Sequence, residues 1–125
     1  MGRNKKYQQV DVIEKMTDLF IQKGYTAASL DDLVKVTGML RGSLYSAFGS
    51  KQKMFILALQ NCLKNSQTSD KTLGMIVISM MELSNKSEQI KQIIKDWYKK
   101  NKGQFIENLI GSYLIKKAKI SGDGI

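Results

Sequence analysis

The sequence contains no histidine and only one cysteine, Cys62, and these shortages exclude several kinds of chemistry. Ser/His/Asp and Cys/His nucleophile arrangements and the common Cys/His zinc sites cannot be built. No phosphate-binding loop of the GxxxxGK[ST] type is present either. The neighbouring carboxylates Asp31 and Asp32 are poor acid/base partners, because adjacent residues of a helix do not face each other. We therefore expect no enzyme, no metal and no cofactor.

Long apolar runs are also lacking. The longest nearly uncharged apolar stretch, Leu73 to Met81, falls well short of the roughly 20 residues that a membrane-spanning helix needs. The N-terminal residues 1–6 lead into no signal-like apolar region. A single cysteine cannot form an internal disulfide, which fits a reducing compartment. We expect a cytoplasmic protein with no membrane partner.

Positive charge is abundant. The 125 residues carry 20 Lys and Arg against 11 Asp and Glu, for a net charge of +9 at pH 7. Such a field attracts nucleic acid first and acidic membrane surfaces second. Basic residues are in excess on both sides of Ser66, so composition does not locate a binding face. A hydrophobic content of 42% predicts a folded core, and the length suits one domain or two small helical units.

Apolar residues recur at helical rather than alternating spacing, which predicts an all-α fold. The first helix is expected over about residues 8–23, with Gly24 as a left-handed stop. Its buried stripe should consist of Val12, Ile13, Met16, Leu19 and Phe20.

Two short helices are predicted next. Ser29 opens a segment with the form of a capping box, which starts a helix over about residues 30–37, and Gly38 ends that helix. A third pattern follows within a few residues, with Leu44 and Phe48 on its inner face. Two short helices joined by a tight glycine-containing turn form a helix-turn-helix unit.

The remaining chain is also predicted to be helical. Ser50 can cap a fourth helix, a polar connector covers residues 66–70, and residues 73–83 form a helix that is apolar almost all round. Ser87 opens another helix, and Gly103 separates it from the last one. The wide apolar face of that last helix should contain Phe105, Ile106, Leu109, Ile110, Tyr113 and Leu114.

An ordered series of short motifs lies between Val12 and Leu59. The motifs read Val12-Ile13, Leu19-Phe20, Gly24-Tyr25, Ala28-Ser29-Leu30, Leu33, Gly38-Met39, Ser43-Leu44-Tyr45-Ser46-Ala47-Phe48 and Ser50-Lys51. Their joint order and spacing resemble the DNA-binding domain of transcriptional regulators of the tetracycline-repressor (TetR) type. The resemblance implies an N-terminal three-helix helix-turn-helix bundle, joined through helix four to a shortened helical C-terminal domain. The expected division is a DNA-binding domain over residues 1–50, a connecting helix over 51–66 and an effector or dimerisation domain over 67–125.

The resemblance also implies which residues contact double-stranded operator DNA. They lie mainly on the exposed face of the third helix and are Ala28, Ser29, Leu40, Arg41, Gly42, Ser43, Tyr45, Ser46 and Lys51. Arg41 is expected to read a base, because a guanidinium pairs bidentately with guanine. Gly42 permits close backbone approach to the duplex, and Lys51 is expected to meet a phosphate.

Two alternatives accompany these assignments. Tyr45 either reaches the DNA or belongs to the rim of the core, since tyrosine is often only partly buried. Leu40 stands where the family usually has a capping Ser or Thr. The third helix is therefore expected either to begin less firmly or to use Met39 and Leu40 for packing.

The C-terminal part carries a weaker functional signal. A small apolar effector would be bound by Met80, Trp97, Tyr98, Phe105 and Tyr113, whereas the alternative makes these residues ordinary core. The excess of apolar faces predicts a homodimer. We expect a sequence-specific DNA-binding regulator, a repressor, that a ligand can release. The alternative is a truncated TetR-like module that dimerises or interacts without a ligand switch.

Overall fold

A computed structural model describes residues 5–120, and within that range it contains seven α-helices and no strand. The all-α prediction is thus confirmed. The helices are α1 (Lys5–Lys23), α2 (Leu30–Thr37), α3 (Arg41–Phe48), α4 (Lys51–Asn65), α5 (Asp70–Ile78), α6 (Glu88–Lys100) and α7 (Ile106–Lys117). They divide between two compact units, Met1–Asn65 and Ser66–Ile125.

Helix α1 begins at Lys5, a few residues before the predicted start, and ends before Gly24 as predicted. Gly24 has a φ of 85°, and its amide donates to the Phe20 carbonyl at 2.6 Å. A positive φ of this kind favours glycine, so the chain can leave the helix in a tight turn. Of the predicted stripe, Met16, Leu19 and Phe20 are buried, whereas Val12 and Ile13 are half-buried.

Helix α2 has the predicted limits, with a capping box at Ser29 and a left-handed Gly38 at its end. The φ of Gly38 is 73°, and its amide donates to the Val34 carbonyl at 2.9 Å. The turn from Gly38 to Leu40 then leads directly into α3. The helix-turn-helix predicted from the sequence is therefore present.

The core of the first unit is built around aromatic rings. Phe20 and Phe55 meet edge to face with centroids 5.2 Å apart, and Tyr25 meets Phe55 in the same way at 5.5 Å. Helix α4, expected to be a connecting helix, packs against α1 and lies within the first unit. The buried side chains Leu33 and Leu44 join α2 and α3 to this core, which fixes the orientation of both helices.

The second unit begins with an α-helix that continues into a π-helical turn. Ser69 caps α5 by accepting from the Thr72 amide, and the helix continues as a π-helical turn over Ser79–Leu83. The buried Ser79 hydroxyl donates to the Met75 carbonyl at 2.8 Å. Ser87 caps α6 as predicted, by accepting from the Ile90 amide.

Helix α7 buries a narrower face than its sequence predicts. Ile106 and Tyr113 are buried, but Leu114 is exposed and Phe105 is 75% exposed. Phe105 lies before the first turn of α7, with a left-handed φ of 54°, so it does not follow the periodicity of the helix. The expectation that Phe105 belongs to the apolar face of the helix is therefore wrong, and Leu114, although helical, is exposed.

Candidate nucleic-acid interface

Helix α3 has two different faces. Leu44 is fully buried and Phe48 is 6% exposed, so the core holds the helix from its inner side. The outer face is exposed and small or polar, consisting of Arg41, Gly42, Ser43, Tyr45, Ser46 and Ala47. Tyr45 is 44% exposed, which favours a surface role over the rim of the core. A rigidly held helix thus presents an accessible, mostly hydrogen-bonding surface.

Arg41 is the first residue of α3 and is already bound to a carboxylate. Its Nη2 donates to Asp31 Oδ1, and the two side chains are 57% and 85% exposed. Asp31 is the second residue of α2, so this ion pair bridges the two helices of the helix-turn-helix. The sequence pattern gives no indication of this contact, because the two residues are ten positions apart.

Leu40 precedes Arg41 as the N-cap of α3 and provides no side-chain hydrogen bond. It is 76% exposed, so Leu40 does not have the packing role that the alternative gave it together with Met39. Its carbonyl accepts from the Leu44 amide at 2.9 Å, which is the first bond of the helix. The start of α3 therefore leaves first-turn amides without a side-chain cap and places an apolar side chain beside Arg41.

Gly42 lies inside α3 although glycine weakens helices by about 1 kcal/mol relative to alanine. Apart from its two chain neighbours and the backbone of its own helix, no atom of the described residues lies within 4 Å of a Cβ built on it, and its φ is not in the left-handed region. Neither packing nor backbone conformation within the described residues thus requires glycine here. Close approach of another molecule to the helix backbone is a physical reason for it.

Lys51 lies at the start of α4, beside the turn between α1 and α2. Its ammonium is 4.5 Å from the centroid of the Tyr25 ring, and it donates to the Thr26 carbonyl at 3.4 Å. Partial burial raises the pKa of the Tyr25 phenol. These contacts hold a positive charge near the N-terminus of a helix that Ser50 caps through the Lys53 amide.

Two residues directly precede α2: Ser29, its N-cap, is exposed, and Ala28 is buried. Ala28 is fully buried, so its predicted place among the DNA contacts is corrected: a side chain with no exposed surface serves the core. Asp32 accepts from the Ser29 amide at 3.0 Å, and Lys23 donates to the same carboxylate at 3.1 Å. These bonds lower the pKa of Asp32 to about 2, and the bond from the Ser29 amide has the largest effect.

The predicted effector residues do not all meet. Met80 and Tyr98 line a cleft of about 590 Å³ whose other lining residues are Ser84, Lys91, Ile94, Lys95 and Lys99. Trp97 is buried, and its indole Nε1 donates to the Gln67 carbonyl at 2.8 Å. Tyr113 is buried and Phe105 is exposed, and neither lines the cleft. The cleft therefore combines a partly apolar floor with three lysines from one side of α6.

Across residues 5–120, every helix is too short or too polar to cross a membrane.

The known proteins that this chain resembles are regulators of the helix-turn-helix (HTH) type, in agreement with the fold. Residues 13–58 match the family described as bacterial regulatory proteins, tetR family. The chain is 29% identical over 96 residues to YezE, an uncharacterized HTH-type transcriptional regulator of Bacillus subtilis, in a match covering 77% of this chain and 44% of that protein. It is 41% identical over 54 residues to the HTH-type transcriptional repressor ComR of Escherichia coli, covering 43% of this chain and 26% of ComR.

A third relative is IcaR of Staphylococcus epidermidis, an HTH-type negative transcriptional regulator of the biofilm operon icaADBC. The identity is 31% over 51 residues, covering 41% of this chain and 28% of IcaR. The matched stretches span less than half the length of each relative. No solved structure matches the chain. Residues 13–58, which include the helix-turn-helix, are therefore similar to the tetR family of bacterial regulatory proteins.

Proposed function

We propose that the chain is a sequence-specific DNA-binding regulator of transcription, and that the outer face of α3 reads the major groove of an operator. The observation that carries this proposal is the division of α3 into a buried side with Leu44 and Phe48 and an exposed side that begins at Arg41. The major groove of B-DNA admits an α-helix, and recognition helices contact base edges near their N-termini.

Each exposed residue at the start of α3 has a chemistry that suits this role. Arg41 supplies the donors for guanine, and the exposed Leu40 beside it suits the methyl group of thymine. Gly42 lets the helix backbone approach the duplex, and the hydroxyls of Ser43 and Ser46 suit bases or phosphates.

Phosphate contacts are proposed on the flanks of α3. The Tyr45 phenol is exposed on the outer face, the Lys51 ammonium lies at the start of α4, and Ser29 lies at the start of α2. Such contacts fix the register of the protein on the duplex without reading its sequence. The sign of regulation is proposed to be repression, because ComR is named a repressor and IcaR a negative regulator.

The test is a comparison of two DNA duplexes. One is selected by the chain from random DNA, and the other has the same composition in scrambled order. Fluorescence anisotropy at several salt concentrations should show tighter binding of the selected duplex at physiological salt, by at least about 10³-fold if the protein follows typical regulators. Equal, weak and strongly salt-dependent affinity for both duplexes would contradict the proposal.

A homodimer in the cytoplasm is proposed as the working form. Several large apolar side chains of the second unit are exposed, namely Met80, Met81, Tyr98, Phe105, Leu114, Ile115 and Ile120. Exposed apolar surface of this extent supports association. Two recognition helices would then address half-sites about 34 Å apart along the duplex. Sedimentation at several protein concentrations tests the dimer.

Ligand control is proposed at the cleft that Met80 and Tyr98 line, where an apolar effector would release the DNA. A module that dimerises without a ligand switch is the second candidate. It is favoured by the core positions of Trp97 and Tyr113, which take two of the expected pocket residues out of reach of a ligand. A screen of small apolar compounds for loss of operator binding distinguishes the two candidates.

A further inference from the structure

Asp31 and Asp32 are neighbours in the first turn of α2, but they serve different partners. Asp32 closes the capping box with Ser29 and binds Lys23. Asp31 extends across the turn to the Arg41 guanidinium, and its side chain is 85% exposed. The carboxylate of Asp31 thus lies at the edge of the surface proposed to face DNA.

The ion pair between Asp31 and Arg41 is too exposed to matter much for folding. Surface ion pairs of this kind change an equilibrium by about fivefold at most. The start of α2 already has Ser29 and Asp32 to cap it, so a second acid is not needed there for the cap. The pair places the Arg41 guanidinium beside Asp31 and offsets its positive charge with a negative one at the start of α3.

We propose that Asp31 is a specificity-determining residue, which rests on the DNA recognition proposed above. Phosphates present about one negative charge per 1.7 Å of duplex, whatever the sequence. An arginine paired with a carboxylate has less attraction left for them, because the two opposite charges offset each other. Nonspecific DNA therefore gains little from Arg41.

A guanine at the correct position offers Arg41 a stronger partner than the phosphates do. A bidentate contact to its O6 and N7 discriminates by roughly 5- to 150-fold, which equals or exceeds the strength of the exposed ion pair. The guanidinium has five N–H donors, so the bond from Nη2 to Asp31 leaves others for the base. Asp31 thus withholds Arg41 from phosphates while leaving it available to the base.

The experiment measures binding of the full chain to the selected and the scrambled duplex described above. Asp31→Asn removes the charge and keeps the size, and it should tighten binding to scrambled DNA by about two- to fivefold. Binding to the selected duplex should stay within about twofold of the original chain. Asp96→Asn is the matched control, because Asp96 is exposed on α6 and contacts Gln92 instead of Arg41.

Two further variants separate this role from a general charge effect. In the Arg41→Ala background, Asp31→Asn should leave the ratio of the two affinities unchanged, since the partner it regulates is gone. Asp31→Glu keeps the charge and should keep the ratio near that of the original chain. Circular dichroism confirms that each variant is folded.

The outcomes are distinct. Asp31 is not a specificity determinant if Asp31→Asn tightens binding to both duplexes equally. The same holds if Asp31→Asn changes the ratio of the two affinities as much without Arg41 as with it. In that case the original chain still prefers the selected duplex, and the proposed function stands. If the original chain binds both duplexes equally, the proposed function fails and the role of Asp31 fails with it.

Discussion

Ser29 and Asp32 exchange two hydrogen bonds at the start of α2. The Asp32 amide donates to Ser29 Oγ at 3.0 Å, and the Ser29 amide donates to Asp32 Oδ2 at 3.0 Å. This exchange satisfies two donors that a helix start leaves without partners. It also fixes the residue at which α2 begins, and therefore helps to set the position of Arg41, the first residue of α3.

Loss of this cap should destabilise the first unit. Ser29→Ala removes the acceptor of the Asp32 amide, and we expect the free energy of unfolding to fall by about 1 kcal/mol. Urea denaturation followed by circular dichroism measures the change. Ser46→Ala is the control, because Ser46 lies inside α3 and caps no helix. An equal loss in both variants would show that the cap contributes nothing beyond the substitution itself.

The same exchange predicts a dependence of stability on pH. The pKa of Asp32 is about 2 in the folded chain, below its ordinary value of 3.8, chiefly because the Ser29 amide donates to the carboxylate. A group whose pKa is lower in the folded state stabilises the fold above its unfolded pKa. That contribution should be complete above about pH 4 and be lost as the pH falls toward 2.

Thermal melting between pH 6 and pH 2 tests this dependence. Asp32→Asn cannot titrate at this position, so its melting temperature should fall less steeply between pH 4 and pH 2 than that of the original chain. A parallel fall in both proteins would show that other groups cause the acid sensitivity.

Gly42 provides a prediction in which stability and binding change in opposite directions. Gly42→Ala should stabilise the fold by up to about 1 kcal/mol, because space for a Cβ is open and alanine favours helices. It should weaken operator binding if the backbone of α3 approaches the duplex closely. Gly111→Ala is the matched control, since Gly111 also lies inside a helix with open space around it.

The two glycine variants should therefore gain similar stability and differ in DNA binding. Thermal melting and anisotropy with the selected duplex measure the two effects. Unchanged binding by Gly42→Ala would mean that the backbone at this position stays away from DNA.

Helix starts and ends are the part of this fold that the sequence predicts best. Ser29, Gly38 and Ser87 act within one or two helical turns, so their effects can be deduced from neighbouring residues alone. The apolar periodicity of α7 includes Phe105, although Phe105 lies in the preceding turn, because a sequence pattern cannot distinguish that position from a helical one.

Contacts between helices could not be predicted in the same way. The bond from Arg41 to Asp31 depends on the angle between α2 and α3, which local spacing does not set. The resemblance to TetR-type regulators implies a DNA contact at Ala28, but a resemblance does not show burial. Whether such a small apolar residue is buried depends on the packing of the whole unit, and here it is fully buried.

Trp97 is the only tryptophan of the chain, and its burial makes it a probe of the second unit. Trp97→Phe removes the donor to the Gln67 carbonyl and leaves that acceptor without this partner. We expect the free energy of unfolding to fall by about 1–3 kcal/mol. Tyr98→Phe is the control, because Tyr98 is more exposed and donates to Glu107 on the surface. A smaller loss for Trp97→Phe than for Tyr98→Phe would contradict the buried role of the indole.

The last prediction separates base reading from phosphate binding. Arg41→Ala should lower the affinity for the selected duplex by roughly 5- to 150-fold, because it removes a base contact. Its effect on the affinity for scrambled DNA should be much smaller. Lys51→Met should weaken both duplexes by a similar factor and make the dependence on salt less steep, since a phosphate contact is lost whatever the sequence.

Methionine is chosen at position 51 because an unbranched apolar side chain can still cover the Tyr25 ring that Lys51 contacts. Alanine would remove that packing together with the charge. Anisotropy titrations of both variants against both duplexes, at several salt concentrations, provide the comparison. If Arg41→Ala and Lys51→Met weakened the two duplexes by the same factor, Arg41 would be a second phosphate contact, and the reading of the operator would have to come from Ser43, Ser46 or Leu40.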